Sequence, residues 1–188
     1  MSKGINIAEN VNKSYNSTTF ASARKPVVFL SHKSEDKEFV EGVGNYITNA
    51  GIDIYLDKND FNLQKATQMN NSKEVTKCIE KGISNSDYIL CFASKNTVRS
   101  WWVPYEIGYG KKANKEIATL LRIDVNEIPE YLKIEEVLDD ISDLNNFIKR
   151  IANDNSISLL EGVIDYQHSD YIKKASYSHQ LSKYLHVR

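Results

Sequence analysis

Glu106 lies in Ser100-Trp101-Trp102-Val103-Pro104-Tyr105-Glu106-Ile107-Gly108, downstream of the apolar run Tyr88 to Ala93. Pro104 has no N–H to donate and fits the first turn of a helix. Trp102 and Glu106, four apart, then share a helix face. The plainer reading is a partly exposed helix acid with Trp102 in the core. The sharper one is a pocket carboxylate with an indole wall. No second acid stands nearby in sequence, and this bears on mechanism. Glycoside hydrolysis ordinarily uses a pair of acids, because an alkoxide leaving group needs a proton. A nicotinamide on an N-glycosidic bond instead departs as a neutral base, because its ring nitrogen begins positively charged. One carboxylate could then suffice, by holding the ribose hydroxyls and stabilising an oxocarbenium-like transition state.

The second cluster is Ser31-His32-Lys33-Ser34, which follows the apolar run Val27-Val28-Phe29-Leu30. A strand-to-helix turn of this kind can point backbone N–H groups at an anion, with hydroxyls and Lys33 as further donors. It can equally be an ordinary connection. Asp57, Lys58, Asn59 and Asp60 open a polar stretch reaching Asn71, read as a long loop. It is either a solvated surface loop, or a wall over a cleft or a subunit contact. Lys111, Lys112 and Lys115 suit a solvated helix end. Gly-x-Gly-x-x-Gly and Gly-Lys-Ser/Thr are both absent, which disfavours a Rossmann dehydrogenase or a P-loop enzyme.

Composition narrows the partners. The chain has 188 residues and a formal net charge of −1, without the excess that marks nucleic-acid or anionic-membrane binding. Its apolar runs are too short to span a bilayer. The N-terminus lacks a basic-then-apolar signal pattern, and a cytoplasmic setting is expected. Cys78 and Cys91 read as reduced core thiols. His32, His168, His179 and His186 have no metal-ligand spacing, so no metal is expected.

The elements that must position these residues alternate. Val27–Leu30, Ile52–Leu56, Tyr88–Ala93 and Ile117–Ile123 read as strands, with a short edge strand within 133–139. Helical spacing covers Phe39 to Ala50 with Ser34 as N-cap and Gly51 as the stop. Further helices are read at Val75 to Ile83, at 102–114, and from Ser142 as cap through Leu144, Phe147, Ile148 and Ile151. The alternation predicts an α/β fold, a mostly parallel central sheet with helices on both faces. Ligands of such sheets sit beyond the carboxyl ends of the strands, where the loops from Ser31, Asp57 and Ser94 begin. The expected organisation is a flexible leader over 1–24, one domain over 25–154, and a helical extension over 155–188 containing Ile172, Ala175, Leu181, Tyr184 and Leu185.

Val28-Phe29-Leu30-Ser31-His32 with Asp36, then Ile54-Tyr55-Leu56-Asp57, then Ser100-x-Trp102-x-x-x-Glu106-Ile107-Gly108, resemble in order and spacing the motifs of bacterial TIR domains, over about residues 25–152. The resemblance implies a flavodoxin-like fold. It implies Glu106 as catalytic residue and Ser31, His32, Lys33, Asp57, Trp102 and Tyr105 as substrate-binding. It also implies that the stretch after Asp57 is the BB loop over the pocket. NAD+ is then substrate, with no separate cofactor. The activity implied is NAD+ glycohydrolase or ADP-ribosyl cyclase, yielding nicotinamide with ADP-ribose or a cyclic isomer. The chain resembles the messenger-making component of bacterial antiphage systems of the Thoeris type. That likeness implies homo-oligomers through TIR–TIR contacts and a separate effector activated by the product, since residues 155–188 are too short for an effector domain. The rival readings are a TIR interaction module without catalysis and a nucleoside deoxyribosyltransferase-like enzyme. A doubled Trp101-Trp102 leaves open which ring faces the site; the four-residue spacing selects Trp102.

Overall fold

The computed structural model describes residues 2–10, 24–56, 60–157 and 179–187. Strands β1 (Val27–Ser31), β2 (Asp53–Tyr55), β3 (Tyr88–Ala93), β4 (Glu116–Leu121) and β5 (Glu136–Leu138) form one parallel sheet in the order β2-β1-β3-β4-β5. This is the doubly wound order in which strand direction of addition reverses beside β1, between β1 and β3. Helices α1 (Lys37–Asn49), α2 (Phe61–Gln68), α3 (Ser72–Ser84), α4 (Trp102–Lys112), α5 (Glu130–Lys133) and α6 (Ile141–Asp154) connect and cover it.

Alternation along β1 builds a core on each face. Val28 and Leu30 point to one side, where they pack with Phe39, Val43 and Ile47 of α1 and Leu144, Phe147 and Ile151 of α6. Val27 and Phe29 point to the other, with Ile79 and Ile83 of α3 and Val103 and Ile107 of α4. A strand with both sides covered must be apolar at every position, so its sequence is a continuous run. Ser31 is next in register on the α4 side, because side chains repeat every second residue. Rings lock both layers: Phe39 meets Phe92 edge-on at 5.1 Å, and Phe29 stacks on Tyr55 at 5.4 Å.

Several local expectations change. The stretch from Asp57 to Asn71, read as a loop, contains α2. Asp60 caps it, accepting from the backbone N–H groups of Asn62 and Leu63 at 2.9 and 3.2 Å, and only Leu63 and Ala66 are buried. So narrow an apolar stripe in a polar segment is easily missed. Ser34 does not cap α1. It opens a short 3-10 turn, Ser34–Asp36, and its hydroxyl donates to Glu35. Ser142 lies within α6, whose cap is Asp140 accepting from the Asp143 N–H at 2.9 Å. Gly51, at φ +96°, does follow the last turn of α1 as a left-handed stop.

The leader expected over 1–24 is tied down over residues 2–10. Gly4 N–H donates to Thr48 O, Ile54 N–H donates to Ile5 O, and the Asn6 side chain accepts from Leu56 N–H. This segment covers the open edge of β2, satisfying strand backbone, while Ala8 is buried in the α3–α4 core with Ile7 packed against it. At the other end, Leu181, Tyr184 and Leu185 are buried in the α1–α6 core, but they lie in turns rather than in a helix. Ile172 and Ala175 lie outside the described residues.

Gly110 lets α4 sit close on the sheet. A Cβ there would stand 2.2 Å from Ile89 Cδ1. Gly110→Ala is expected to lower the unfolding free energy by about 1–3 kcal/mol through overpacking, read as a lower urea midpoint. An unchanged midpoint would mean that Ile89 moves aside without cost.

Candidate active site

The loops after β1, β3 and β4 leave the sheet on one edge, and buried polar groups tie them together. Asp36, 2% exposed, follows β1. Its carboxylate accepts from Ser94 Oγ at 2.5 Å and Asn96 Nδ2 at 2.8 Å, both just after β3. Arg122, the first residue after β4, pairs with it at 3.5 Å. Thr97 Oγ1 donates to Phe92 O at 2.8 Å and accepts from Ser94 N–H at 2.9 Å, fixing the turn after β3. That turn leads through Ser100, whose hydroxyl accepts the Val103 N–H, into α4.

Glu106 therefore arrives in the first half of α4 on the face turned to the sheet. It is 3% exposed. Ser31 Oγ, 1% exposed at the end of β1, donates to Glu106 Oε2 at 2.6 Å. This joins residues 75 apart in sequence and directly links two of the expected site residues. Cys91 lies beside Ser31 in the β1–β3 register. Burial first, then the Glu106 charge, pushes its thiol up, while the Ser31 hydroxyl works the other way. Tyr131 of α5 completes the surroundings. Burial first, then the charges of Cys91 and Glu106, push its phenol up to about 12. Cys91 and Tyr131 are neutral near pH 7 as a result, so the carboxylate has no titrating neighbour in that range among them.

The other expected residues are placed as follows. His32 Nδ1 lies 2.9 Å from Leu30 O, and Lys33 pairs with Glu35 at 3.7 Å. Trp102 is 38% exposed, its ring edge-on to Tyr105 at 6.2 Å, whereas Trp101 is 91% exposed. Trp102 is thus the indole seated on the protein. Tyr105 donates from its hydroxyl to Glu80 of α3 at 2.5 Å and stacks with Tyr109. That bond, ahead of burial, pushes the Tyr105 phenol up to about 12. Trp102, Tyr105 and Tyr109 form a stripe along the α3–α4 seam, while Glu106 turns inward. Asp57 lies outside the described residues. Sequence reasoning named Cys91 only as a core thiol and did not single out Tyr131 or Arg122. Their approach depends on strand order and on α5, for which no local pattern exists.

Among the described residues no group of three or more His, Cys, Asp or Glu could hold a metal ion, and no helix is long and apolar enough to cross a membrane. The Asp36 cluster should hold the loops in place. Asp36→Ala leaves Ser94 and Asn96 without their acceptor and removes one of the two acids paired with Arg122, and is expected to cost about 2–4 kcal/mol, discounted from a fully buried pair because Arg122 is partly exposed. Chemical denaturation measures this; a loss under about 0.5 kcal/mol, the range of ordinary surface substitutions, would show that the cluster contributes nothing.

The TIR domain family model matches residues 28–151. The chain is 28% identical over 116 residues to a protein of Bacillus cereus named a probable 3' cyclic ADP-D-ribose synthase, ThsB', covering 61% of this chain and 56% of that one. It is 26% identical over 142 residues to the NAD(+) hydrolase TirS of Staphylococcus aureus, covering 70% and 48%. It is 30% identical over 100 residues to a probable 2' cyclic ADP-D-ribose synthase, TcpO, of Methanobrevibacter olleyae, covering 53% and 25%. The chain spans about half the length, or less, of these curated relatives. With the family model spanning most of the sheet and its helices, the strand order 2-1-3-4-5 and the motif residues at the carboxyl edge agree on one assignment: this chain belongs to the TIR domain family.

Proposed function

We propose that this TIR domain cleaves the N-glycosidic bond of NAD+, with Glu106 as the acting carboxylate. The observation that carries the reading is the inward-facing Glu106 at the carboxyl edge of the sheet, bonded to Ser31. The names of the relatives, NAD(+) hydrolase and cyclic ADP-D-ribose synthase, support the substrate.

In this mechanism the bond between ribose C1′ and the nicotinamide nitrogen breaks, and its electron pair returns to the ring, which leaves neutral. The ribose carries the positive charge as an oxocarbenium-like centre. Glu106 stabilises that charge and orients the ribose hydroxyls. Water then adds at C1′ and loses a proton, giving ADP-ribose. If a nucleophile of the ADP-ribose itself adds instead, the product is a cyclic isomer. A carboxylate in a dry wall suits this chemistry, because its charge acts across low dielectric and needs no reorientation during the step. The same reading extends to homo-oligomers through TIR–TIR contacts, a separate effector answering a cyclic product, and a cytoplasmic setting. Antiphage signalling is the role that joins them.

The rival is a TIR module that assembles without chemistry. The observation in its favour is the burial of Glu106, since substrate reaches the carboxylate only if the surrounding loops part. Incubation of purified protein with NAD+, followed by chromatography, separates the readings. Wild type is expected to release nicotinamide, and Glu106→Gln to lose about 100-fold or more in rate with an unchanged circular dichroism spectrum. ADP-ribose as sole product assigns a glycohydrolase; a product isobaric with cyclic ADP-ribose assigns a cyclase. Glu106→Gln turning over at the wild-type rate would remove Glu106 from the chemistry.

A further inference from the structure

We infer that Ser31 is a positioning residue for Glu106, not a contact for substrate. This deepens the reading of Glu106 as the acting carboxylate and rests on it. Ser31 is 1% exposed and its hydroxyl donates to Glu106 Oε2 at 2.6 Å. The hydroxyl proton is committed to the carboxylate, so what the hydroxyl sets is where Glu106 stands. A carboxylate has about four lone-pair positions. Ser31 fills one of them.

The strand gives this bond its precision. Ser31 is the last residue of β1, paired in register with Cys91 of β3, so the β1–β3 ladder fixes its Cα. A serine side chain has a single rotor and loses little entropy when it is held. Glu106, in contrast, has three side-chain torsions to order, and misplacement of a reacting group by about 1 Å can cost about 100-fold in rate. The fixed hydroxyl removes that freedom. It also favours the ionised form, since a donor to a carboxylate stabilises its charge. Cys91 of β3 and Tyr131 of α5 are titratable groups that feel the Glu106 charge. Neither ionises near neutral pH, so Ser31 supplies the charge-favouring contact from the strand side.

The test uses the full chain as Ser31→Ala, Ser31→Thr and Glu106→Gln. Ser31→Ala is expected to lower kcat for nicotinamide release about 10- to 100-fold with KM within about threefold of wild type. The acid limb of its kcat profile should move to higher pH, because the carboxylate that must be ionised loses a donor. Ser31→Thr, which keeps the hydroxyl, should recover most of the rate. A readout independent of turnover is the carboxyl 13C titration of Glu106, assigned by the resonance missing in Glu106→Gln. Its midpoint should rise in Ser31→Ala, and it can be measured even on a protein inert toward NAD+. If Ser31→Ala does not fold, Ser31→Cys, of nearly equal volume and a weaker donor, replaces it with a smaller shift in the same direction. Active Glu106→Gln would bring down the parent reading. A dead Glu106→Gln beside a folded Ser31→Ala with wild-type kcat, acid limb and 13C midpoint would overturn the role of Ser31 alone.

Discussion

The two-sided burial of β1 is the constraint on which the rest of the molecule depends. Each residue of Val27–Ser31 is buried, and each alternately serves one of the cores. The strand therefore has no solvent face to lose. A shift of one position would exchange Phe29 for Leu30 and move Ser31 to the α6 side. Register is thus strongly specified, and with it the point at which a hydroxyl meets α4. The pairing with β2 on one flank and β3 on the other leaves no edge on which slippage could begin.

From that strand the site follows by short steps. Period two puts Ser31 and Cys91 on one side of the sheet. Gly110 removes the side chain that would hold α4 away from Ile89, and Glu106, one turn earlier, reaches the strand. The turn after β3 is held by Thr97 and by the Asp36 cluster, which sets where α4 begins. Burying Asp36 is tolerable because Ser94 and Asn96 donate to it and Arg122 pairs with its charge. The polar atoms at this edge thus divide the work, the Asp36 cluster fixing the loops and Ser31 bonding the Glu106 carboxylate. The NAD+ reading and the positioning role of Ser31 both rest on that division.

The stripe Trp102, Tyr105 and Tyr109 illustrates how far helical spacing carries an inference. Four-residue spacing places Trp102 near Glu106 along the helix. It does not decide how far each turns around the axis toward the sheet. Glu106 is inward and Trp102 partly exposed, because Val103, Glu106, Ile107 and Gly110 define the buried stripe and Trp102 lies at its margin. Tyr105 then finds Glu80, since α3 packs against that margin.

The sequence by itself determined the strands, their order of alternation with helices, the inner faces of α1, α3 and α6, and the motif order that marks a TIR domain. These are written in local periodicities and in continuous apolar runs, which survive without tertiary context. It also singled out Glu106 and Ser31, though as separate features. Only the tertiary structure decided that they touch, that Asp36 closes a cluster with Ser94, Asn96 and Arg122, that Cys91 and Tyr131 flank the carboxylate, and that residues 2–10 cover the β2 edge. Each of those contacts joins groups far apart in the chain through hydrogen bonds or charge. Such pairings leave no period in the sequence, because their partners are chosen by strand order and not by spacing. The same reason hid α2: its helix is set by the Asp60 cap and by packing on α3, with too few apolar residues to announce a face of its own.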